Sequence, residues 1–157
     1  MTATILTPAH ADAMVRVAER AAIAAQMLAG RGDEMAADQA AVDAMRTALN
    51  EIEMRGRIVI GEGERDEAPM LFIGEEVGTG NGPEIDIALD PLEGTTLTAK
   101  AMPDALTVIA CAPRDGLLYA PDVYMDKIAV GPGLPDGIVD LDMSIADNVN
   151  ALANAKG

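Results

Sequence analysis

The sequence is poor in aromatic residues, cysteine and positive charge. It has no tryptophan and only 2% aromatic residues, so we do not expect an aromatic platform for stacking on sugars. Its one cysteine excludes an internal disulfide and fits a reducing compartment. The 11 basic residues are outnumbered by 26 acidic ones, and the net charge of −15 argues against nucleic acid or an anionic membrane as partner.

Two further absences concern targeting. No apolar run reaches the about 18 residues that suggest a membrane-spanning helix. The N-terminal residues lack the charged region and the long apolar stretch of a secretion signal. We therefore expect a cytoplasmic protein that binds neither membrane nor nucleic acid.

The 157 residues are half apolar, which predicts a single domain, residues 1–157, with a real core. Apolar residues at helical spacing predict a first helix at 8–29, with Thr7 as cap and Pro8 in the first turn. A second helix is predicted at about 34–54, capped by Asp33. The only histidine, His10, lies in the first helix, and the sequence suggests no role for it.

Short β-branched runs after the helices predict strands at 57–61, 84–90 and 105–113. The second run alternates, with one face formed by Ile85, Ile87 and Leu89 and the other by Asp86, Ala88 and Asp90. Residues 69–78 suit either a helix or a strand. Helices followed by strands indicate an α+β fold, with two N-terminal helices packed on a mixed or antiparallel sheet.

The C-terminal part is less regular. Residues 116–133 predict two short strands around a turn at 120–122, and the Asn- and Ala-rich tail at 144–157 predicts a helix.

Four acidic residues lie where elements end. Asp38 falls on the apolar stripe of the second helix, Glu62 follows the strand at 57–61, and Asp90 and Glu93 follow the strand at 84–90. If these ends meet, the carboxylates repel one another and their pKa values rise. Hard divalent cations, Mg²⁺ or Mn²⁺, relieve that repulsion and prefer oxygen ligands.

The residues around Glu93 suggest how a phosphate would be held. Pro91 is predicted to turn the chain sharply, so that Asp90 and Glu93 face one point. Gly94 and Thr95 are predicted to open a helix whose free N–H groups bind phosphate, while the Thr95 hydroxyl can bind a water molecule.

Each signal has a simpler interpretation when taken alone. Asp38 is then an acid favoured by the helix dipole in the first turns. Glu62 is a solvated charge in an acidic loop, and the segment 90–95 is a turn followed by a helix start. The metal-site hypothesis depends on the joint pattern.

Five segments in order closely resemble the class II fructose-1,6-bisphosphatases of bacteria. They read "GRGD", "ADQAAVDAMR", "IVIGEGERDEAPMLFIGEEVG", "DIALDPLEGTTLTAK" and "APDVYMDKIAVGPG". The stretch "DPLEGT" also resembles the signature of the lithium-sensitive, metal-dependent phosphatase superfamily. The resemblance implies the layered α/β sugar-phosphatase fold, of which this chain is the N-terminal half.

The resemblance also implies roles for individual residues. The metal ligands fall on the same four acids, Asp38, Glu62, Asp90 and Glu93. Substrate contacts fall on Glu93, Gly94, Thr95 and Tyr124, and the catalytic residues are Thr95 and Glu62. Tyr124 comes from the resemblance alone, because the residues by themselves suggest a half-buried aromatic of a strand.

The implied activity is hydrolysis of the 1-phosphate of fructose-1,6-bisphosphate. Cyanobacterial relatives also act on sedoheptulose-1,7-bisphosphate. The implied cofactor is Mn²⁺ or Mg²⁺, the setting is gluconeogenesis, glycerol metabolism or Calvin-type sugar metabolism, and the full-length family is expected to be homo-oligomeric.

Two departures from the family pattern qualify these expectations. Glu34 follows "GRGD" where many relatives have lysine. Relatives also continue into a second half that supplies arginines and a further acidic metal ligand. The alternative is therefore a truncated, catalytically impaired metal-binding remnant, or an assembly partner of a full-length enzyme.

Overall fold

A computed structural model describes residues 6–61, 70–118 and 123–157, which fall into two compact units, Met1–Ala120 and Pro121–Gly157. The prediction of a single domain stays a prediction. The first unit contains α1 (Pro8–Gln26), α2 (Glu34–Asn50), β1 (Arg55–Ile60), β2 (Glu76–Val77), β3 (Glu84–Glu93), α3 (Thr95–Ala99) and β4 (Leu106–Pro113). The second contains α4 (Ile145–Lys156). Within the described ranges, no helix combines the length and apolar character that crossing a bilayer requires.

Both N-terminal helices begin where the sequence predicts. Thr7 is the N-cap of α1, and Pro8 lies in its first turn. Asp33 caps α2 by accepting a hydrogen bond from the Ala36 N–H at 3.0 Å. His10 has a role that the sequence did not suggest, because its Nδ1 accepts the Thr7 backbone N–H at 3.2 Å and closes a capping box.

The helices end earlier than predicted, α1 at Gln26 and α2 at Asn50. After α2 the backbone takes partners from a distant turn instead of continuing the helical pattern. The Thr79 N–H donates to the Ile52 carbonyl at 2.9 Å, and the Gly80 N–H donates to the Met54 carbonyl at 3.2 Å. These long-range bonds cannot be seen in a helical periodicity.

The four strands form one mixed sheet with the order β2-β1-β3-β4. β1 and β3 run parallel, whereas β1–β2 and β3–β4 are antiparallel. The apolar face of β3 is buried as the alternation predicts, and it joins the stripes of α1 and α2 in one core that includes Met14, Val17, Ala21, Ala41, Met45, Leu49, Ile85, Ile87 and Leu89. The predicted α+β class is therefore confirmed.

Two strand predictions were wrong or undecided. In the stretch 69–78, the described part holds only the two-residue strand β2. Residues 123–133 form no strand, and the turn predicted at 120–122 lies outside the described residues. A strand needs a neighbour for its backbone groups, and none of the ladders found among the described residues includes this stretch.

The second unit contains the predicted C-terminal helix. The Ser144 side chain caps α4 by accepting the Asp147 N–H at 3.1 Å. Asn148 is buried and fixes the preceding chain, because its amide donates to the Asp140 carbonyl at 2.8 Å and its carbonyl accepts the Asp140 N–H at 2.9 Å.

A buried carboxylate holds the sheet together on the side away from the helices. Asp86 of β3 is only 2% exposed. It accepts hydrogen bonds from Arg57 at 3.0 and 3.1 Å, from Arg114 at 2.9 Å and from the Asp115 N–H at 2.7 Å. Burial opposes its ionisation, but these hydrogen bonds and the two positive charges outweigh burial, so the pKa of Asp86 lies below its ordinary value.

Replacing this carboxylate should be costly. Asp86→Ala leaves two arginines around an uncharged site, and we expect the free energy of unfolding to fall by about 3–5 kcal/mol. Asp115→Asn is the matched control, because Asp115 also pairs with Arg57 but is 82% exposed. It should cost at most about 1 kcal/mol. Urea denaturation of the three proteins at neutral pH measures both values, and similar losses for the two variants would contradict this account.

Candidate metal centre

Asp38 brings an unsatisfied carboxylate to the beginning of α2. The residue lies on the second turn, next to the buried Ala37. Its Oδ1 atom is buried and has no hydrogen-bond partner in the described part of the chain. Such an atom is costly unless it is protonated or meets a cation, and burial accordingly raises the pKa of Asp38.

Asp90 and Glu93 lie together at the end of β3 because the strand carries an extra residue there. Asp90 pairs with Val108 and Glu93 with Leu106, so three steps on β3 oppose two on β4. In a regular strand, residues three apart point to opposite faces, and a bulge reverses that relation. The two carboxyl groups consequently come within hydrogen-bonding reach of each other.

This geometry corrects the predicted role of Pro91. The chain does not turn sharply at this residue, since β3 continues through it to Glu93. The irregular register between Asp90 and Glu93, and not a turn, brings the two acids together. The Leu92 N–H stabilises the arrangement by donating to Asp90 Oδ1 at 3.1 Å.

The electrostatic environment of Asp90 is unfavourable for a free carboxylate. Burial, the neighbouring Glu93 carboxyl and the negative charge of Asp38 raise the pKa of Asp90 to about 6, although the Leu92 N–H opposes the shift. Glu93 and Asp38 thus act on Asp90 in the direction that the sequence led us to expect, while the shared site stays a prediction. A divalent cation would reverse the sign of these interactions.

The described residues do not by themselves complete a metal site. Among residues 6–61, 70–118 and 123–157, no three acidic, histidine or cysteine side chains are arranged to hold an ion together. Glu62, the fourth predicted ligand, lies outside the described residues. The four-carboxylate site thus stays a prediction, to which the structure contributes the neighbouring carboxyl groups of Asp90 and Glu93 and the unsatisfied oxygen of Asp38.

Gly94 and Thr95 form the predicted helix start directly after Glu93. Gly94 is the N-cap of the five-residue α3 and has φ of +90°, a conformation that glycine adopts readily. A Cβ atom here would lie 3.0 Å from the Leu97 side chain. Thr95 is half-buried at the first position of the helix, so both residues follow the carboxylate pair without an intervening loop.

Tyr124 belongs to the second unit and is fully exposed. It lies outside any strand, so its interpretation as a half-buried strand aromatic was wrong. Its predicted contact with substrate stays a prediction.

Sequence analysis missed an ion pair that involves the chain just after the acidic segment 62–69. Arg46 of α2 donates to both carboxylate oxygens of Glu75, at 2.8 and 3.2 Å, and also to the Met70 carbonyl. It thereby anchors to α2 the chain that follows residues 62–69, the segment that includes Glu62. The partners are 29 residues apart, and no local pattern in the sequence connects them.

A separate groove of about 760 Å³ lies between α1 and β4. Its lining is mainly apolar and includes Met14, Val15, Leu106, Val108 and Ile109. The carboxylates of Asp38, Asp90 and Glu93 do not line this groove. The groove therefore does not suit a phosphorylated sugar, in contrast to the polar end of β3.

The fold and the site together define an α+β protein with a candidate divalent-cation centre built from carboxylates. The chain belongs to the family of bacterial, glpX-encoded fructose-1,6-bisphosphatases, whose family model matches residues 9–157.

Individual relatives are similar over almost the whole chain. Fructose-1,6-bisphosphatase 2 class 2 of Escherichia coli K12 is 54% identical over 144 residues, covering 92% of this chain and 44% of that protein. The D-fructose 1,6-bisphosphatase class 2/sedoheptulose 1,7-bisphosphatase of Synechococcus sp. CC9311 is 51% identical over 144 residues, covering 92% and 43%. The chain therefore spans less than half the length of these curated relatives.

The raised pKa of Asp90 predicts how pH affects the metal-free chain. The pKa moves from an ordinary 3.8 to about 6, so the folded state holds this proton more tightly than the unfolded chain does. The resulting stabilisation is full below about pH 4 and is lost as pH rises through about 6. Asp90→Asn does not lose a proton, and at about pH 7.5 it should be more stable than the wild type by about 1–2 kcal/mol, with solvent screening allowed for.

Urea unfolding in the presence of a chelator, at about pH 4 and about pH 7.5, measures this difference. Asp12→Asn, at an exposed position of α1, removes the same charge elsewhere and serves as control. A stability difference between wild type and Asp90→Asn that does not change between the two pH values would show that Asp90 is not held in an unfavourable environment.

Proposed function

We propose that this chain supplies the carboxylate centre of a metal-dependent phosphatase that hydrolyses the 1-phosphate of fructose-1,6-bisphosphate. The observation that carries the proposal is the buried Asp38 Oδ1, which has no hydrogen-bond partner among the described residues, together with the raised pKa of Asp90, to which the Glu93 carboxyl and the charge of Asp38 contribute. The names of the similar proteins support the substrate. Sedoheptulose-1,7-bisphosphate is proposed as a second substrate because the names of the cyanobacterial relatives include sedoheptulose 1,7-bisphosphatase.

The proposed cofactor is Mn²⁺ or Mg²⁺, held by Asp38, Glu62, Asp90 and Glu93. Oxygen-only ligands of this kind suit hard cations, and both ions commonly complete their coordination with phosphate and water. When bound, the cation would polarise the phosphoryl group and make a nucleophile available at neutral pH. The net charge of −15 supports a need for cations, since a bisphosphate would otherwise be repelled.

The residues of the chain have separate proposed tasks. Thr95 and Glu62 orient the attacking water, with the Thr95 hydroxyl as hydrogen-bonding group. Glu93, Gly94, Thr95 and Tyr124 contact the substrate. Support for the first three comes from their adjacency at the end of β3, where Gly94 allows the backbone to approach a ligand closely. We place the reaction in cytoplasmic sugar metabolism, of the gluconeogenic or Calvin type.

A second candidate function is a metal-binding assembly partner of longer copies of the enzyme. One observation favours it: β4 lies at an edge of the described sheet beside an apolar groove. Edge strands and apolar grooves are common places for another chain to dock. In this alternative the carboxylates still bind metal, but the chain does not turn over substrate.

Metal binding is the first test of the proposal. We expect Mn²⁺ to bind the chain, and we expect Asp38→Asn and Asp90→Asn each to weaken binding by about tenfold or more, because each removes a ligand and a charge. Asp12→Asn, which changes the net charge equally at a distance, should bind like the wild type. Calorimetric titration measures all four affinities, and equal weakening by the control would reduce the effect to long-range electrostatics.

Turnover separates the two candidate functions. We expect this chain alone to release phosphate from fructose-1,6-bisphosphate about 10²-fold or more slowly than the same chain joined to the C-terminal remainder of the Escherichia coli relative. Contacts to the rest of the substrate help to position the reacting group, and we expect that remainder to supply them.

The assay compares turnover per protein molecule in one Mn²⁺ buffer. Activity of the short chain within about tenfold of the joined protein would show that the carboxylate centre is sufficient by itself. Mn²⁺ binding without detectable turnover by the short chain would favour the second candidate.

A further inference from the structure

The juxtaposition of Asp90 and Glu93 depends on the bulge in β3, and the residue opposite that bulge is Thr107. β4 has one residue between Leu106 and Val108, whereas β3 has two, Pro91 and Leu92, between their pairing partners. The Thr107 hydroxyl donates to the Pro91 carbonyl at 3.0 Å. This bond therefore spans the irregular part of the ladder.

The hydrogen bond matters because Pro91 is fully buried. A buried carbonyl needs a partner, and the proline itself contributes no N–H to the ladder. The hydroxyl supplies a donor at the position where strand pairing is irregular. Without it, the simplest way to satisfy the backbone would be to shift the register, which would return Asp90 and Glu93 to opposite faces.

Packing alone does not explain a threonine at this position. Thr107 lies on the same face of β4 as Ile109 and Cys111, both of which pack against the core. A valine has nearly the same shape and would fill that space with equal β-propensity. The hydroxyl is the group that distinguishes threonine from valine, and it donates to the Pro91 carbonyl within the bulge.

We propose that Thr107 is a positioning residue: its hydroxyl holds the bulge that brings Asp90 and Glu93 to one point. The inference rests on the proposed metal centre for its functional meaning, but its structural content concerns the carboxylate pair alone. Thr107 is not among the residues proposed to hold the cation or to contact the substrate. It acts through Pro91 and the adjacent Leu92. The Leu92 N–H in turn donates to Asp90 Oδ1.

The first measurement is made without metal. Amide hydrogen exchange of Leu92 reports the bulge directly, and we expect Thr107→Val to accelerate it about fivefold, the effect of losing one intramolecular hydrogen bond. Thr107→Ser keeps the hydroxyl and should restore slow exchange. Thr47→Val is the matched control, because the Thr47 hydroxyl also donates to a backbone carbonyl, that of Asp43 at 2.8 Å, but on the exposed side of α2.

The second measurement is Mn²⁺ affinity by calorimetry. We expect about tenfold weaker binding for Thr107→Val, near wild-type binding for Thr107→Ser, and no change for Thr47→Val. A merely structural role would lower stability without this pattern of loss and rescue by serine.

The two measurements separate the possible failures. Unchanged Leu92 exchange in Thr107→Val overturns the inference, whatever the metal does. Accelerated exchange that serine fails to rescue also overturns it, since packing would then be responsible. In a third case, Leu92 exchange is accelerated in Thr107→Val and slow again in Thr107→Ser, but the wild-type chain binds no Mn²⁺. This result supports the positioning of the pair and overturns the proposed function. If Thr107→Val does not fold, near wild-type exchange and affinity in Thr107→Ser support the inference, and their loss contradicts it.

Discussion

The mutual repulsion of carboxyl groups at the end of β3 is the constraint on which the rest of this site depends. Asp90 and Glu93 are held within hydrogen-bonding reach of each other, and Asp38 adds a further negative charge. A flexible chain would relieve this repulsion by moving the groups apart. In the structure, α2 positions Asp38, and the bulge between β3 and β4 positions the pair.

Two kinds of interaction make the scaffold rigid enough for this purpose. Apolar burial joins α1, α2 and the inner face of β3 in one core. On the opposite face of β3, Asp86 gathers Arg57 and Arg114, which fixes β3 relative to β1 and to the end of β4. Asp86 is thus satisfied by positive charge and has a lowered pKa, whereas Asp90 has no such partner among the described residues and has a raised pKa. This contrast supports the proposal of a cation at the end of β3.

Much of the scaffold was predictable because its signals are local. The caps at Thr7 and Asp33 and the alternation of Ile85, Ile87 and Leu89 depend on residues close in sequence. The convergence of Asp38, Glu62, Asp90 and Glu93, inferred from the positions of acids at the ends of elements, stays a prediction. Of the two short strands predicted within 116–133, the one expected after the turn was wrong, since residues 123–133 form no strand. A β-branched run forms a strand only when a neighbour satisfies its backbone.

The features that could not be predicted depend on pairing between distant residues. The bulge is defined by the register of β3 against β4, so the sequence around Pro91 suggested a turn instead. The bond from Thr107 to Pro91 and the pair of Arg46 and Glu75 join residues 16 and 29 positions apart. The central proposal, that Asp38, Glu62, Asp90 and Glu93 hold a divalent cation, is tested most directly by anomalous diffraction from crystals of this chain soaked in Mn²⁺. The account predicts an anomalous peak with Asp38 Oδ1 and the carboxyl groups of Asp90 and Glu93 around it, at oxygen distances of about 2.0–2.6 Å. A strong peak elsewhere, with these three side chains unliganded, would contradict it.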